Sequence, residues 1–134
     1  LEFRRVLFRS DGADMVTASP YHPDGQVLNV PRWRLFLSRT LSWTYRRILH
    51  RPIYTWTSCF RVYRRSKVVD LELQHGGFLG IAELLVRVLR RGGVVHEYPT
   101  LLESRLLGAS KMKTLRTVRG HLGLLWQVGS GKIR

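Results

Sequence analysis

Apolar and polar positions alternate along this chain in two rhythms. Ala13 to Ser19 (ADMVTAS) is a short, apolar-rich run stopped by Pro20, which predicts a strand, and Tyr21-His22-Pro23-Asp24-Gly25 has the chemistry of a loop. From Pro31 to Leu49 the rhythm becomes helical, with Leu37, Leu41, Tyr45 and Ile48 recurring on one stripe and Pro31 suited to the first turn. The opposite stripe, Arg39, Ser42 and Arg46, predicts a face for solvent or an anion.

Pro52 closes that helix. Ile53 to Arg64 is rich in β-branched and aromatic residues, which predicts an extended segment running into Phe60-Arg61-Val62-Tyr63, with Phe60 in the core. A short helix is expected over Ser66 to Leu73, before Gly76-Gly77. Leu79 to Arg91 has the clearest helical pattern: Ile81, Leu84, Leu85 and Val88 form the stripe to be buried, and Glu83, Arg87 and Arg90 the polar one. Gly92-Gly93 supplies a left-handed stop. Val94 to Leu102 predicts one strand or two, interrupted at Pro99, which suits a sheet edge or bend. Lys113 to Val128 predicts a last helix, with Leu115, Val118, Leu122 and Leu125 on one face and Lys113, Arg116 and Arg119 on another. Gly120 and Gly123 each weaken it by about 1 kcal/mol relative to Ala, so it needs a surface to lie on. Gly129 to Lys132 reads as a frayed end, and there is no internal repeat. Alternating strands and helices give an α/β fold class.

Composition narrows the partners. A chain of 134 residues is one unit with a modest core. Its 23 Lys and Arg against 9 Asp and Glu leave a net charge of +14, which implies an anionic partner: a nucleotide sugar, a lipid phosphate, an anionic membrane surface or nucleic acid. A single cysteine, Cys59, excludes an internal disulfide, and no Cys or His spacing marks a metal site, so a reducing, cytosolic setting is expected. No apolar run approaches the roughly 20 residues of a membrane span. Residues 1–10 carry no cap, turn or periodicity linking them to the rest. Leu-Phe-Arg-Ser reads as a translated sequencing-adaptor tail, so this segment is expected to be adaptor-derived. Without its three Arg and one Glu the charge is still +12. The expected organisation is therefore 1–10 adaptor-derived, 11–128 folded, and 129–134 a flexible tail.

Four places carry candidate chemistry. Arg105-Leu106-Leu107-Gly108-Ala109-Ser110-Lys111 sets a guanidinium, a glycine backbone, a hydroxyl and an ammonium at a helix entrance, a set suited to phosphate. The plainer alternative is a basic loop in which Ser110 caps the helix. In Thr57 to Arg65 (TSCFRVYRR), Cys59 reads as a small buried hydrophobe, with no His at a diagnostic local spacing. Glu83 either takes a proton from an acceptor hydroxyl or forms an i,i+4 pair with Arg87 worth about 0.2 to 0.5 kcal/mol. Ser38-Arg39, with Ser42 and Arg46, is either an anion site or a solvated basic face. His22 reads as a loop polar residue.

The R-x-x-G-x-S-K loop, following the Ser-x-Phe-Arg-x-Tyr-Arg segment, resembles the C-terminal half of family 2 glycosyltransferases of the dolichol-phosphate mannosyltransferase type, over residues 12–128. Ser58-Cys59-Phe60-Arg61 is similar to that family's Ser-Gly-Phe-Arg, with Cys59 in place of Gly and Thr55 where an Asp is common. Glu83 stands where the family's Glu-Leu-Leu helix begins, and Ser38-Arg39 resembles its Ser-Arg facing a lipid phosphate. The resemblance implies the C-terminal portion of a GT-A domain with an incomplete sheet. It implies inverting transfer of a hexose from a nucleotide sugar to a polyprenyl phosphate, at the cytoplasmic face of a membrane, with a divalent metal, Mg or Mn. The chain has no Asp-x-Asp, and Asp11 and Asp14 do not make one, so the metal ligands are expected mostly outside it and the chain alone is expected to be inactive. The implied site is Glu83 as catalytic residue, with Ser38, Arg39, Arg61, Arg105, Ser110 and Lys111 holding acceptor phosphate. Peripheral membrane contact is expected and nucleic acid is not. The rival reading is a small basic module binding nucleic acid or a membrane surface. Charge favours that rival, and the lack of helix-turn-helix, zinc-finger or RNP-like patterns weighs against it.

Overall fold

The run Met15–Ser19 forms strand β1, and every residue in it is buried. A strand covered on both faces needs small or apolar side chains throughout, which is what Met-Val-Thr-Ala-Ser supplies. The computed structural model of the chain describes residues 12–103 and 114–133. After β1 come β2 (Gln26–Leu28), α1 (Arg32–Leu49), β3 (Arg61–Tyr63), a 3-10 turn (Arg65–Lys67), α2 (Gly77–Arg90), β4 (Val95–Pro99), β5 (Leu101–Glu103) and α3 (Thr114–Gly129).

The fold is α/β with small sheets. The main sheet has the order β3-β1-β4: β1 runs antiparallel to β3, pairing Met15 with Tyr63, and parallel to β4, pairing Met15 with Val95 and Ser19 with Pro99. Pro99 thus ends an edge strand, as its missing N–H requires. A second, two-stranded sheet pairs β2 with β5 in parallel. The core gathers Met15, Tyr45, Trp56, Leu85, Val86, Leu124 and Val128 from β1, all three helices and the segment between α1 and β3. Tyr45 and Trp56 stack at 5.1 Å between ring centroids.

Several expectations shift. Ser42 was placed on the outer stripe of α1, but it is buried, because its Oγ accepts the Trp56 N–H at 3.2 Å. Ile48 is correspondingly exposed. Only Arg61–Tyr63 of the expected 53–64 strand is a strand. The N–H groups of Tyr54 and Thr55 instead donate to the Glu97 carboxylate, both at 2.9 Å, so side chains satisfy this backbone in place of a ladder. The expected 66–73 helix is reduced to the 3-10 turn. On α2 the buried stripe is Ala82, Leu85, Val86, Val88 and Leu89, with Ile81 and Leu84 half-buried.

α3 lies on the core through His121, Leu124, Leu125 and Val128, while Leu115 and Leu122 face outward. Gly120, a weak helix former, has a packing reason: a Cβ there would stand 3.0 Å from Leu79 Cδ2 of α2. Residues 130–132 carry bonds back to the helix end. Gly131, at φ +72°, donates to Val128 O, Lys132 donates to Gln127 O, and Ile133 is buried. This is the same left-handed stop that Gly92 gives α2.

Arg61 joins these parts. It is buried, its Nε donates to Thr17 Oγ1 at 3.2 Å, Nη1 to Ile81 O, and Nη2 to Trp56 O at 2.7 Å. Burial pulls its pKa down to about 10, against the opposing pull of nearby Tyr63, Cys59 and Glu97. The Arg61 fork, for which a phosphate role is expected, is thus committed to protein oxygens inside the fold. An ammonium cannot reach three divergent acceptors. Arg61→Lys is expected to lower unfolding free energy by about 3 kcal/mol, through lost charge-assisted hydrogen bonds. Urea denaturation checks this, and an unchanged midpoint would contradict the anchoring role.

Candidate functional site

An open groove of about 740 Å³ runs between α1 and α3, with β5 and the end of β1 closing its other sides. Its lining is mostly apolar because both helices turn residues such as Leu37, Leu41, Val118 and Leu122 toward it. Polar groups enter at few points. Ser38 Oγ shares a hydrogen bond of 2.8 Å with Thr57 Oγ1, and both residues line the groove. One helical turn earlier, Arg34 also lines it, lying against the Trp33 ring with its Cζ 5.2 Å from the centroid. Among the described residues, the Arg34 Nε is buried and has no hydrogen-bond partner. A buried guanidinium N–H without an acceptor is costly.

The structure separates Ser38 from Arg39. Ser38 faces the groove, while Arg39 is exposed and stands over the Tyr21 ring at 5.4 Å. Tyr21 itself lines the groove, and burial raises its hydroxyl pKa, with the Ser38 hydrogen bond and the Arg39 charge pulling the other way. Sequence reading missed Arg34. The available signal was spacing, since Arg34 lies four residues before Ser38 and therefore on the same helix face.

At the groove floor Thr55, buried, shares a 2.8 Å hydrogen bond with Ser19 Oγ and accepts the Tyr21 N–H at 3.3 Å. Where the resemblance would put an Asp, the chain has a neutral hydroxyl that pins the bend after β1. His121 closes the floor from α3. It is 3% exposed, and its Nδ1 lies 3.0 Å from the Tyr45 hydroxyl. Burial pulls the His121 pKa down to about 4 and pushes the Tyr45 hydroxyl up, so both are neutral at neutral pH. The signal for His121 was its position as the polar residue on the stripe shared with Leu124, Leu125 and Val128.

Cys59 and Phe60, expected inside, stand at the groove wall, Phe60 at 64% exposure. Burial raises the Cys59 thiol pKa, with the Arg61 charge acting against it, so the sulfur is not an activated thiolate. Glu83 does not reach the groove. It has no exposure, and its carboxylate accepts from Gln74, His75 and Arg87. A proton acceptor needs a lone pair facing its substrate, and those of Glu83 face Gln74, His75 and Arg87. Arg105, Ser110 and Lys111 lie outside the described residues. Among the described residues, no three His, Cys, Asp or Glu side chains gather as a metal ligand set.

Cations and aromatics alternate on the outer surface. Arg46 lies over Tyr54, Arg47 over Trp43 and Lys132 over Trp126, at 4.4 to 5.3 Å. Trp33, Trp43 and Trp126 are more than half exposed. No described helix is long and apolar enough to cross a membrane.

No protein-family model matches the chain. It is 36% identical over 115 residues to a polyprenol monophosphomannose synthase of Mycolicibacterium smegmatis, an alignment covering 83% of this chain and 43% of that protein. The chain thus spans less than half the length of this relative.

The buried His121 makes stability pH-dependent in a defined window. Its pKa in the fold lies below the ordinary 6.5, so its contribution is complete above pH 6.5 and is lost as pH falls toward 4. The loss amounts to about 3 kcal/mol at most. Urea midpoints between pH 7 and pH 5 should fall in the parent and stay flatter in His121→Phe. Equal slopes would contradict the assignment.

Proposed function

We propose that this chain belongs to the dolichol-phosphate mannosyltransferase-like glycosyltransferases of family 2 and forms the acceptor side of an enzyme transferring mannose to polyprenol phosphate. One observation carries the reading: a long apolar groove is interrupted by the Arg34 guanidinium one helical turn from a pair of hydroxyls. A polyprenyl phosphate has the matching form, an apolar chain ending in a dianion.

In this reading the lipid chain lies along the wall made by Leu37, Leu41, Val118 and Leu122, and the phosphate meets the Arg34 guanidinium and the Ser38 and Thr57 hydroxyls. Arg39 at the rim adds charge, and Arg105, Ser110 and Lys111 join the same site by resemblance. The acceptor oxygen is already anionic and needs no general base. The work of these residues is to desolvate it, orient it and hold it for direct, inverting displacement. The described residues offer no ligand set for a divalent metal such as Mg or Mn. By resemblance, the metal and nucleotide-sugar contacts belong mostly to residues outside this chain.

The exposed tryptophans with their neighbouring cations suit the headgroup region of an anionic bilayer and support peripheral membrane contact; the cytoplasmic face is what the resemblance implies. A nucleic-acid module draws support from charge alone.

Titration of tryptophan fluorescence with a short-chain polyprenyl phosphate, the matching polyprenol and inorganic phosphate tests this. The lipid phosphate is expected to bind about tenfold or more tighter than the alcohol, and Arg34→Ala to remove that preference. Equal affinity for phosphate and alcohol would sink the reading. The 134-residue chain is also expected to transfer no sugar from a nucleotide sugar. Metal-dependent transfer by it would overturn its limitation to the acceptor side.

A further inference from the structure

Glu83 occupies the middle of α2 and is fully buried, and it does not line the groove. Its Oε1 accepts the Gln74 N–H at 2.9 Å and Arg87 Nε–H at 2.7 Å. Its Oε2 accepts the His75 N–H at 2.9 Å and lies 2.8 Å from His75 Nδ1. Burial alone would raise this carboxyl pKa, but the bonds from Gln74, Arg87 and His75 outweigh it and hold the group below the usual range. The carboxylate is therefore charged, with its lone pairs in use.

Those bonds reach back across the start of the helix. α2 begins at Gly77, whose φ of +59° departs from helical geometry, and the preceding Gly76 gives no side-chain cap. Nothing local fixes where this helix starts, and the clamp on Gln74 and His75 does so from within. Of the next two residues, Phe78 stands half-exposed in the groove wall, and Leu79 faces Gly120 of α3.

We propose that Glu83 is a positioning residue for the groove: by clamping Gln74 and His75 it places Phe78, and so shapes the wall that a bound lipid phosphate meets, without touching the ligand. This rests on the acceptor reading for its functional consequence only.

The test uses the 134-residue chain, tryptophan fluorescence and a short-chain polyprenyl phosphate. Glu83→Gln and Phe78→Ala are each expected to weaken binding about fivefold, and the double variant no more than Phe78→Ala alone. Parent-like binding by Glu83→Gln, or a loss that persists in the Phe78→Ala background, overturns the proposal. Should Glu83→Gln fail to fold, His75→Ala removes one bond, keeps the backbone pair and is judged by the same criteria. Should the parent bind no polyprenyl phosphate, the acceptor reading fails and amide exchange decides the positioning claim. Exchange about tenfold faster over residues 74–79, with Val86 to Leu89 unchanged, supports it, and a uniform change along α2 overturns it.

Discussion

A single guanidinium, Arg61, buried where it can reach three separate parts of the chain, is the interaction on which the rest of this structure depends. Its donors satisfy Thr17 in the central strand, Trp56 in the irregular segment and Ile81 in α2. Removing such a charge from water is expensive, and only well-aimed acceptors offset it. The irregular segment could not exist otherwise. Residues 53–57 lack a ladder, so their backbone leans on Glu97, Ser42 and Arg61. That segment carries Trp56 into the core and Thr57 to the groove, and it links the stability of the fold to the shape of its site.

The groove follows from an unusual division of labour on α1. Its core-facing stripe contains Ser42 and Tyr45, both polar at the tip and both partnered. Its outer surface carries the large aromatics Trp33, Phe36 and Trp43. Between the two lies the face shared with α3, where Leu37 and Leu41 continue the apolar lining and Arg34 and Ser38 interrupt it. A hydrocarbon chain gains from the first pair and an anion from the second.

Element type was legible where a repeat dictated it. β1, α1, α2 and α3 lie close to where periodicity put them, because a dozen residues of consistent pattern outweigh local exceptions. The misreadings have a common cause: polar residues buried with specific partners. Ser42, Arg61 and Glu83 look like surface or active-site groups in sequence, and each is internal because another segment needs a hydrogen bond there. Residue type alone cannot reveal that need. The strand expected at 53–60 failed for the same reason, since Glu97 and Ser42, distant in sequence, take over the role of a neighbouring strand. In the groove, Ser38 stands out in sequence through its motif, whereas Arg34 and His121 carry only the weaker signal of helical spacing, which gains meaning once α1 and α3 are set side by side. Gly131 acts as a stop signal because the following residue, Lys132, bonds back to the helix.

The parallel pairing of β1 with β4 also has a consequence for how the chain comes into being. Met15 meets Val95, so the central strand waits for roughly 80 further residues before its second neighbour exists. At a synthesis rate of about 5 to 20 residues per second that wait lasts several seconds. β3 arrives earlier and can cover one edge antiparallel, but the other edge stays open until β4 leaves the ribosome. The most deeply buried strand of the finished protein is, during translation, its longest-exposed adhesive surface, and a cell that makes it must keep that surface from other nascent chains.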